Sequence, residues 1–152
     1  MPTVRLGFSP APAHVRTARL VAVAVARRAG VAEELLDEVR LAVGEACSRA
    51  VALHRLYQLA DLVDVEMTDG VRFSVRVLDR GPAETRVAAG NLPDPVDLVA
   101  HTNELGPSEP FGEPSVTVGM GLALLTGLVD DLEVAPRDGG RGTSVRMSWP
   151  TG

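Results

Sequence analysis

Lysine and isoleucine are absent from the chain, and cysteine, tryptophan and tyrosine each occur once. All fifteen basic residues are therefore arginine, a bias that fits a GC-rich genome better than a functional demand. The single cysteine, Cys47, has no partner for an internal disulfide, and no neighbouring pattern marks it as a nucleophile. We interpret Cys47 as a buried, inert thiol.

Long apolar runs and an excess of positive charge are missing too. No run approaches the ~20 apolar residues of a membrane span, and no charged-then-apolar leader is visible, so we expect no membrane association and a cytoplasmic location. The formal net charge is −5, whereas a phosphate backbone is bound by a basic surface, so we expect no direct contact with nucleic acid. With 152 residues, 45% hydrophobic and 23% charged, the chain is predicted to form one domain over 1–152.

Hydrophobic periodicity predicts a strand followed by two helices. Residues 3–9 alternate between apolar and polar, as in a short strand. Residues 14–29 carry apolar side chains on more than one face and end at Gly30, which is typical of a helix stop. Over 32–56 the apolar residues recur at three- and four-residue spacing, which predicts the longest helix of the chain.

Alternation then returns on both sides of Asp69-Gly70, a dipeptide that favours a hairpin turn. Arginine and serine occupy the outward positions of the second strand. The inward positions are predicted to be Val71, Phe73, Val75 and Val77.

The second half of the chain has less periodicity. Residues 82–118 are rich in proline, glycine and acidic residues, as in a disordered segment or a functional lid. Residues 119–132 are predicted to be helical, and a closing hairpin should turn through residues 138–140. The order of elements predicts an α+β, two-layer sandwich: a mixed, mostly antiparallel sheet covered on one face by helices.

Four short motifs are each weak alone but specific in combination. Glu45 lies in the second long helix, and the motif LDRGPA follows a strand. GMGLAL opens a helix after a long loop, where free backbone amides and the helix dipole favour a phosphate. GGRGTSVRM lies in the last hairpin. Their order and spacing are therefore the informative feature.

In this order the motifs resemble the GHKL (Bergerat-fold) ATP-binding family, specifically the RsbW- and SpoIIAB-type anti-sigma-factor serine kinases of Gram-positive bacteria. The resemblance covers nearly the whole chain and implies an ATP lid within 84–118. It implies that Asp79 accepts a hydrogen bond from the adenine amino group, that Gly81 admits the base, and that Thr143 supports Asp79. The N-box Glu45 would polarise the attacking hydroxyl. The second glycine box would supply the remaining nucleotide-binding residues, Gly119, Met120, Gly121 and Leu122.

Two positions depart from the family pattern. The N box normally carries asparagine four residues after its glutamate, where the side-chain oxygen holds Mg²⁺, and here that residue is Arg49. A guanidinium has five donors and no acceptor, so it cannot ligate a metal ion that requires oxygen ligands. The first glycine box of the family corresponds here to DRGPA, residues 79–83, and it ends in Ala83 where a second glycine is usual. The resemblance therefore implies ATP or ADP as ligand, while Arg49 argues against Mg²⁺.

Three interpretations of Arg49 remain open from the sequence. It could form an i,i+4 ion pair with Glu45, worth about 0.2–0.5 kcal/mol. It could instead replace the metal and bind phosphate directly through its planar fork. In the third interpretation it points elsewhere and the pocket is unused. All three weaken the case for phosphoryl transfer, which depends on a metal to neutralise developing charge.

The three histidines, His14, His54 and His101, lack the spacing of metal ligands, and we expect solvated or capping roles for them.

The resemblance and its departures together predict a divergent anti-sigma factor of actinobacterial type, with degenerate kinase activity. It would sequester an RNA polymerase sigma factor in a partner-switching system, compete with a STAS-type anti-anti-sigma factor, and form a homodimer. One alternative is an active Mg-ATP-dependent serine kinase of that STAS protein. Another is a sensor that binds a different nucleotide or phosphorylated metabolite.

Overall fold

The computed structural model describes residues 2–81, 125–129, 131–137 and 141–152. Residues 125–128 are helical. The other elements, in chain order, are β1 (Thr3–Phe8), α1 (Pro12–Ala29), α2 (Glu33–Leu56), β2 (Val63–Asp69), β3 (Arg72–Leu78), β4 (Leu132–Pro136) and β5 (Thr143–Pro150).

The five strands form one sheet in the order β1-β2-β3-β5-β4. Each neighbouring pair is antiparallel, with Val65 opposite Val77 and Val77 opposite Val145 in the central strands. The predicted α+β class with a helix-covered sheet is confirmed. Every pairing between described strands is antiparallel, which fits the mostly antiparallel sheet that was expected.

The core lies between the sheet and the pair α1 and α2. Side chains alternate between the two faces along each central strand, and the apolar side chains that face the helices are buried. Alanines line the buried side of α1, so that helix can pack closely against α2. The main inward residues are Ala18, Ala22 and Ala26 of α1, Val39, Val43 and Ala46 of α2, Val65 and Met67 of β2, Phe73 and Val75 of β3, and Val145 and Trp149 of β5.

Gly30 ends α1 as the sequence predicts. Its φ of 100° is in the left-handed region, which glycine adopts without the steric cost that a Cβ imposes. The amide of Val31 then donates to the carbonyl oxygen of Ala26 at 3.0 Å, which satisfies a carbonyl left open by the helix end. This stop turns the chain back so that α2 can run against α1.

Two details of the sequence prediction are wrong. Val71 was expected to point inward, but it is 86% exposed. It lies beyond the Asp69–Phe73 pair that closes the β2–β3 ladder, where strand alternation no longer applies. The last helix was predicted to reach Leu132, yet that residue begins β4, paired with Met147.

Several predictions fall outside the described residues: the lid within 84–118, the glycine box of 119–122 and the turn at 138–140. Within the described helices, none is long and apolar enough to span a membrane.

Candidate functional site

Asp79 follows the end of β3 and is completely buried. Its backbone amide donates to the carbonyl oxygen of Thr143 at 3.0 Å, so the start of β5 fixes its main chain. Its own carbonyl oxygen accepts a hydrogen bond from Nη1 of Arg137 at 3.3 Å. The residue after β3 is therefore held from both sides by the β4–β5 hairpin.

The Asp79 carboxylate is engaged through both oxygens. Oδ1 accepts from the backbone amide of Gly81 at 2.8 Å, which curls the chain into a tight turn two residues on. Oδ2 accepts from Nη1 of Arg49 at 2.8 Å, a charge-assisted hydrogen bond. The side chains of Arg49 and Asp79 are each 1% exposed, so the ion pair that they form lies inside the protein.

Gly142 makes the close approach of β5 to Asp79 sterically feasible. Its φ is 113°, and a Cβ added there would lie 1.9 Å from the carbonyl oxygen of Asp79. No side chain fits at that distance, so this glycine of the GGRGT motif serves the packing of two backbones. The motif is recognisable in the sequence, whereas the steric reason for its glycine is visible only in the structure.

Thr143 contacts Asp79 through its backbone, and its hydroxyl makes no direct hydrogen bond to the Asp79 carboxylate. Its hydroxyl oxygen is buried and has no hydrogen-bond partner, while its carbonyl oxygen accepts from the Asp79 amide. Buried polar atoms normally have partners. An orphaned hydroxyl next to the Asp79 turn thus indicates a place for one further polar group, either a water molecule or a ligand atom.

The structure gives Arg49 a partner that the sequence analysis did not consider. Arg49 forms its buried ion pair with Asp79, thirty residues away, and not with Glu45 one turn back on α2. Glu45 is half-buried. The predicted i,i+4 ion pair is therefore wrong. The interpretation of Arg49 as a phosphate ligand stays a prediction, because the glycine box lies outside the described residues.

The residues present do not fit the magnesium ion of the family. Arg49 stands where a side-chain oxygen is required, and it offers only donors. Within the described ranges, no group of three or more histidine, cysteine, aspartate or glutamate side chains has the geometry of a metal site. We therefore derive no step through a metal ion.

Adenine fits the site only in part. The orphaned Thr143 hydroxyl can receive a polar atom of the base. Oδ2 of Asp79, one of the two oxygens that could accept the adenine amino group, however, already accepts a hydrogen bond from the Arg49 guanidinium. A neutral amino group is a weaker donor than a cation at the same oxygen, so adenine would have to displace or share the Arg49 contact.

His54 is a site residue that the sequence analysis missed. It is completely buried near the C-terminal end of α2, whereas a solvated or capping role was expected. Nε2 lies 2.9 Å from the backbone nitrogen of Arg80, and Nδ1 lies 2.9 Å from the carbonyl oxygen of Asp61. One signal was present in the sequence: His54 follows Ala50 by four residues on the buried stripe of α2.

An antiparallel sheet covered by two helices, with an aspartate turn between β3 and β5, is consistent with a GHKL-type ATPase domain. The chain belongs to the histidine kinase-like ATPase domain family, whose sequence model it matches over residues 8–149. The comparison with curated proteins gave no significant match.

Proposed function

We propose that this chain is a regulatory binding module: a divergent RsbW-type anti-sigma factor that sequesters an RNA polymerase sigma factor, with phosphoryl transfer lost. The observation that supports this proposal best is the buried ion pair between Arg49 and Asp79. It engages, from within the chain, the carboxylate on which nucleotide recognition in this family depends.

Phosphoryl transfer is expected to fail first through loss of the metal ion. A transferring phosphoryl group needs cations that bridge its oxygens and neutralise developing charge. Arg49 replaces the oxygen ligand that would hold such a cation. The Arg49 guanidinium instead forms a hydrogen bond with Asp79, with Nη1 at 2.8 Å from Oδ2.

Recognition of the adenine base is expected to be weakened as well. Burying two charges is costly unless they remain paired, and removing one partner of such a pair typically costs about 3–5 kcal/mol. A nucleotide that displaced Arg49 from Asp79 would meet a cost of this kind before gaining its own contacts. ATP and ADP are therefore expected to bind weakly, and Mg²⁺ should not improve their binding.

Capture of a partner is the activity that the intact fold can retain without this chemistry. The sheet, both long helices and the Asp79 turn are all formed. A net charge of −5 favours a basic partner segment through complementary potential. By the same family resemblance we propose a homodimer whose sigma-binding surface is shared with a STAS-type anti-anti-sigma factor.

Calorimetry of the full chain with ATP and ADP, each with and without Mg²⁺, tests the nucleotide part of the proposal. Wild type should bind weakly and without a magnesium effect. Arg49→Asn restores the family's side-chain oxygen and frees Asp79, so Mg-ATP binding should appear in this variant. Tight, magnesium-dependent binding by the wild type would overturn the proposal.

Sigma capture is tested separately, with purified sigma factors from the same genome assayed one at a time by size-exclusion chromatography and transcription inhibition. One of them should bind wild type and Arg49→Asn equally well, since capture does not depend on the nucleotide site. Loss of capture in Arg49→Asn would show that the ion pair shapes the binding surface. Failure of every sigma factor to bind the wild type would refute the anti-sigma role.

A second candidate function, an active serine kinase of a STAS protein, is favoured by one observation. Glu45 is half-buried and is not the ion-pair partner of Arg49, so its carboxylate is not neutralised by that residue. Transfer of radiolabelled phosphate from Mg-ATP to a purified STAS protein, abolished in Glu45→Gln, would establish this function. Nucleotide binding that Mg²⁺ weakens would instead favour the sensor.

A further inference from the structure

We propose that His54 is a positioning residue that clamps the turn over residues 79–81 onto α2, and that it does so as a single neutral tautomer with its proton on Nδ1. The clamp requires neither sigma capture nor nucleotide binding. It depends on the two contacts of a completely buried imidazole.

The two partners of the ring fix its protonation. A backbone N–H can only donate, so Nε2, at 2.9 Å from the Arg80 nitrogen, must be the acceptor and carry no proton. A backbone carbonyl can only accept, so Nδ1, at 2.9 Å from the Asp61 oxygen, must carry the proton and donate it. The opposite tautomer would leave both contacts unsatisfied inside the protein.

The position of His54 on α2 explains what the clamp does. Arg49 and His54 are five residues apart on one helix, and they contact consecutive residues of the turn, Asp79 through its carboxylate and Arg80 through its amide. The next amide, that of Gly81, donates to Oδ1 of Asp79. A shift of the Arg80 backbone would therefore be transmitted to the hydrogen bond that orients the carboxylate.

His54 also connects this turn to the start of β2. The Asp61 carbonyl lies in the connection between α2 and β2, where the amide of Leu59 already donates to the His54 carbonyl oxygen at 2.7 Å. The side chain and the backbone of one residue thus hold the 57–62 connection, while the ring holds the Asp79 turn. The imidazole thus connects α2, the 57–62 connection and the Asp79 turn through directional hydrogen bonds. Such contacts are expected of a residue that positions backbone segments.

The tautomer is tested first, on the unmodified protein, by long-range ¹H–¹⁵N correlation of the imidazole nitrogens near neutral pH. His54 should show a protonated-type Nδ1 and an unprotonated-type Nε2. His14 is exposed on α1 and serves as the internal control, because a solvated ring should give averaged shifts. A proton on Nε2 of His54, or averaged shifts for its ring, would overturn the proposal.

Amide hydrogen exchange in three variants tests the clamp itself. His54→Gln retains an acceptor near the position of Nε2, His54→Asn retains a donor near that of Nδ1, and His54→Leu retains neither. The Arg80 and Gly81 amides should exchange at least about tenfold faster in the Leu and Asn variants, as loss of one buried hydrogen bond implies, but not in the Gln variant.

The amide of Val65, in the centre of β2, distinguishes local release from general destabilisation. Its exchange should change by less than about twofold in all three variants when the global stability is matched with denaturant. If the exchange of the Val65 and Arg80 amides accelerated equally, His54 would act only through packing and not as a clamp. Failure of His54→Gln to protect Arg80 better than His54→Asn does would reject the acceptor role.

Discussion

The buried ion pair between Arg49 and Asp79 should dominate the energetics of this site. Arg49→Met leaves a buried carboxylate with the Gly81 amide among its remaining donors, and Asp79→Asn leaves a buried guanidinium opposite a neutral amide. Each single change is expected to lower the free energy of unfolding by about 3–5 kcal/mol. That is a large share of the roughly 5–15 kcal/mol available to a domain of this kind.

The double variant should be much less destabilised than the sum of the two single variants, since it buries no charge at this position. We expect a coupling energy of about 3 kcal/mol from the double-mutant cycle. The assay is guanidinium chloride unfolding followed by the fluorescence of Trp149, the only tryptophan in the chain, with circular dichroism as an independent probe of two-state behaviour.

A matched control is the ion pair of Asp37 and Arg40 on α2, which has an N–O distance of 3.3 Å but side chains 88% and 56% exposed. Its cycle should give a coupling of about 0.5 kcal/mol or less, because solvent screens exposed pairs. If the Arg49–Asp79 coupling were no larger than this control, the buried pair would not hold the site together. Arg49 would then not be the group that satisfies the buried Asp79 carboxylate.

Two further predictions follow from Gly142 and Cys47. Gly142→Ala should lower the free energy of unfolding by about 3 kcal/mol or more, because the residue has a positive φ and its Cβ would clash with the Asp79 carbonyl. The control is Gly127→Ala, where a Cβ meets nothing within 4 Å, and this change should be neutral or stabilising. An equal loss of stability in the two variants would refute the steric role of Gly142. Burial raises the pKa of the Cys47 thiol from 9.0 to about 12, so the folded state favours the protonated thiol. The free energy of unfolding therefore falls as the pH rises from the pKa of the unfolded thiol towards that of the folded one. At about pH 10 wild type should be about 1.4 kcal/mol less stable, relative to neutral pH, than Cys47→Ala, and rapid alkylation of the native thiol near pH 8 would refute its burial.

Much of the fold could be predicted because its signals are local. The boundaries of α1 and α2 and the β2–β3 hairpin follow from apolar spacing, Gly30 and the Asp69-Gly70 dipeptide, all of which lie within a few residues of what they control. Val71 was misplaced because the alternation of a strand was extended into its turn. The prediction of the last helix failed at Leu132, whose apolar side chain suits β4 equally well.

The site itself could be predicted only as a set of residues. Asp79, Gly81 and Thr143 were found through motifs, and the structure places all three at the junction of β3 and β5. The partner of Arg49 was missed because sequence patterns reveal neighbours one helical turn away and not a carboxylate thirty residues further along. The spacing from Ala50 indicated the burial of His54, but its two hydrogen bonds could not be predicted because both go to backbone atoms, which carry no sequence signal.

The Arg49 contact also changes how the stability of this domain should depend on the nucleotide concentration in the cell. A domain whose buried carboxylate waits for a ligand gains stability by mass action as that ligand accumulates. Here the group that satisfies Asp79 is part of the polypeptide, so it is present at a fixed local concentration in every molecule. The melting temperature should therefore differ little between energy-rich and energy-starved conditions, and the abundance of the folded protein should follow the supply of ATP only weakly.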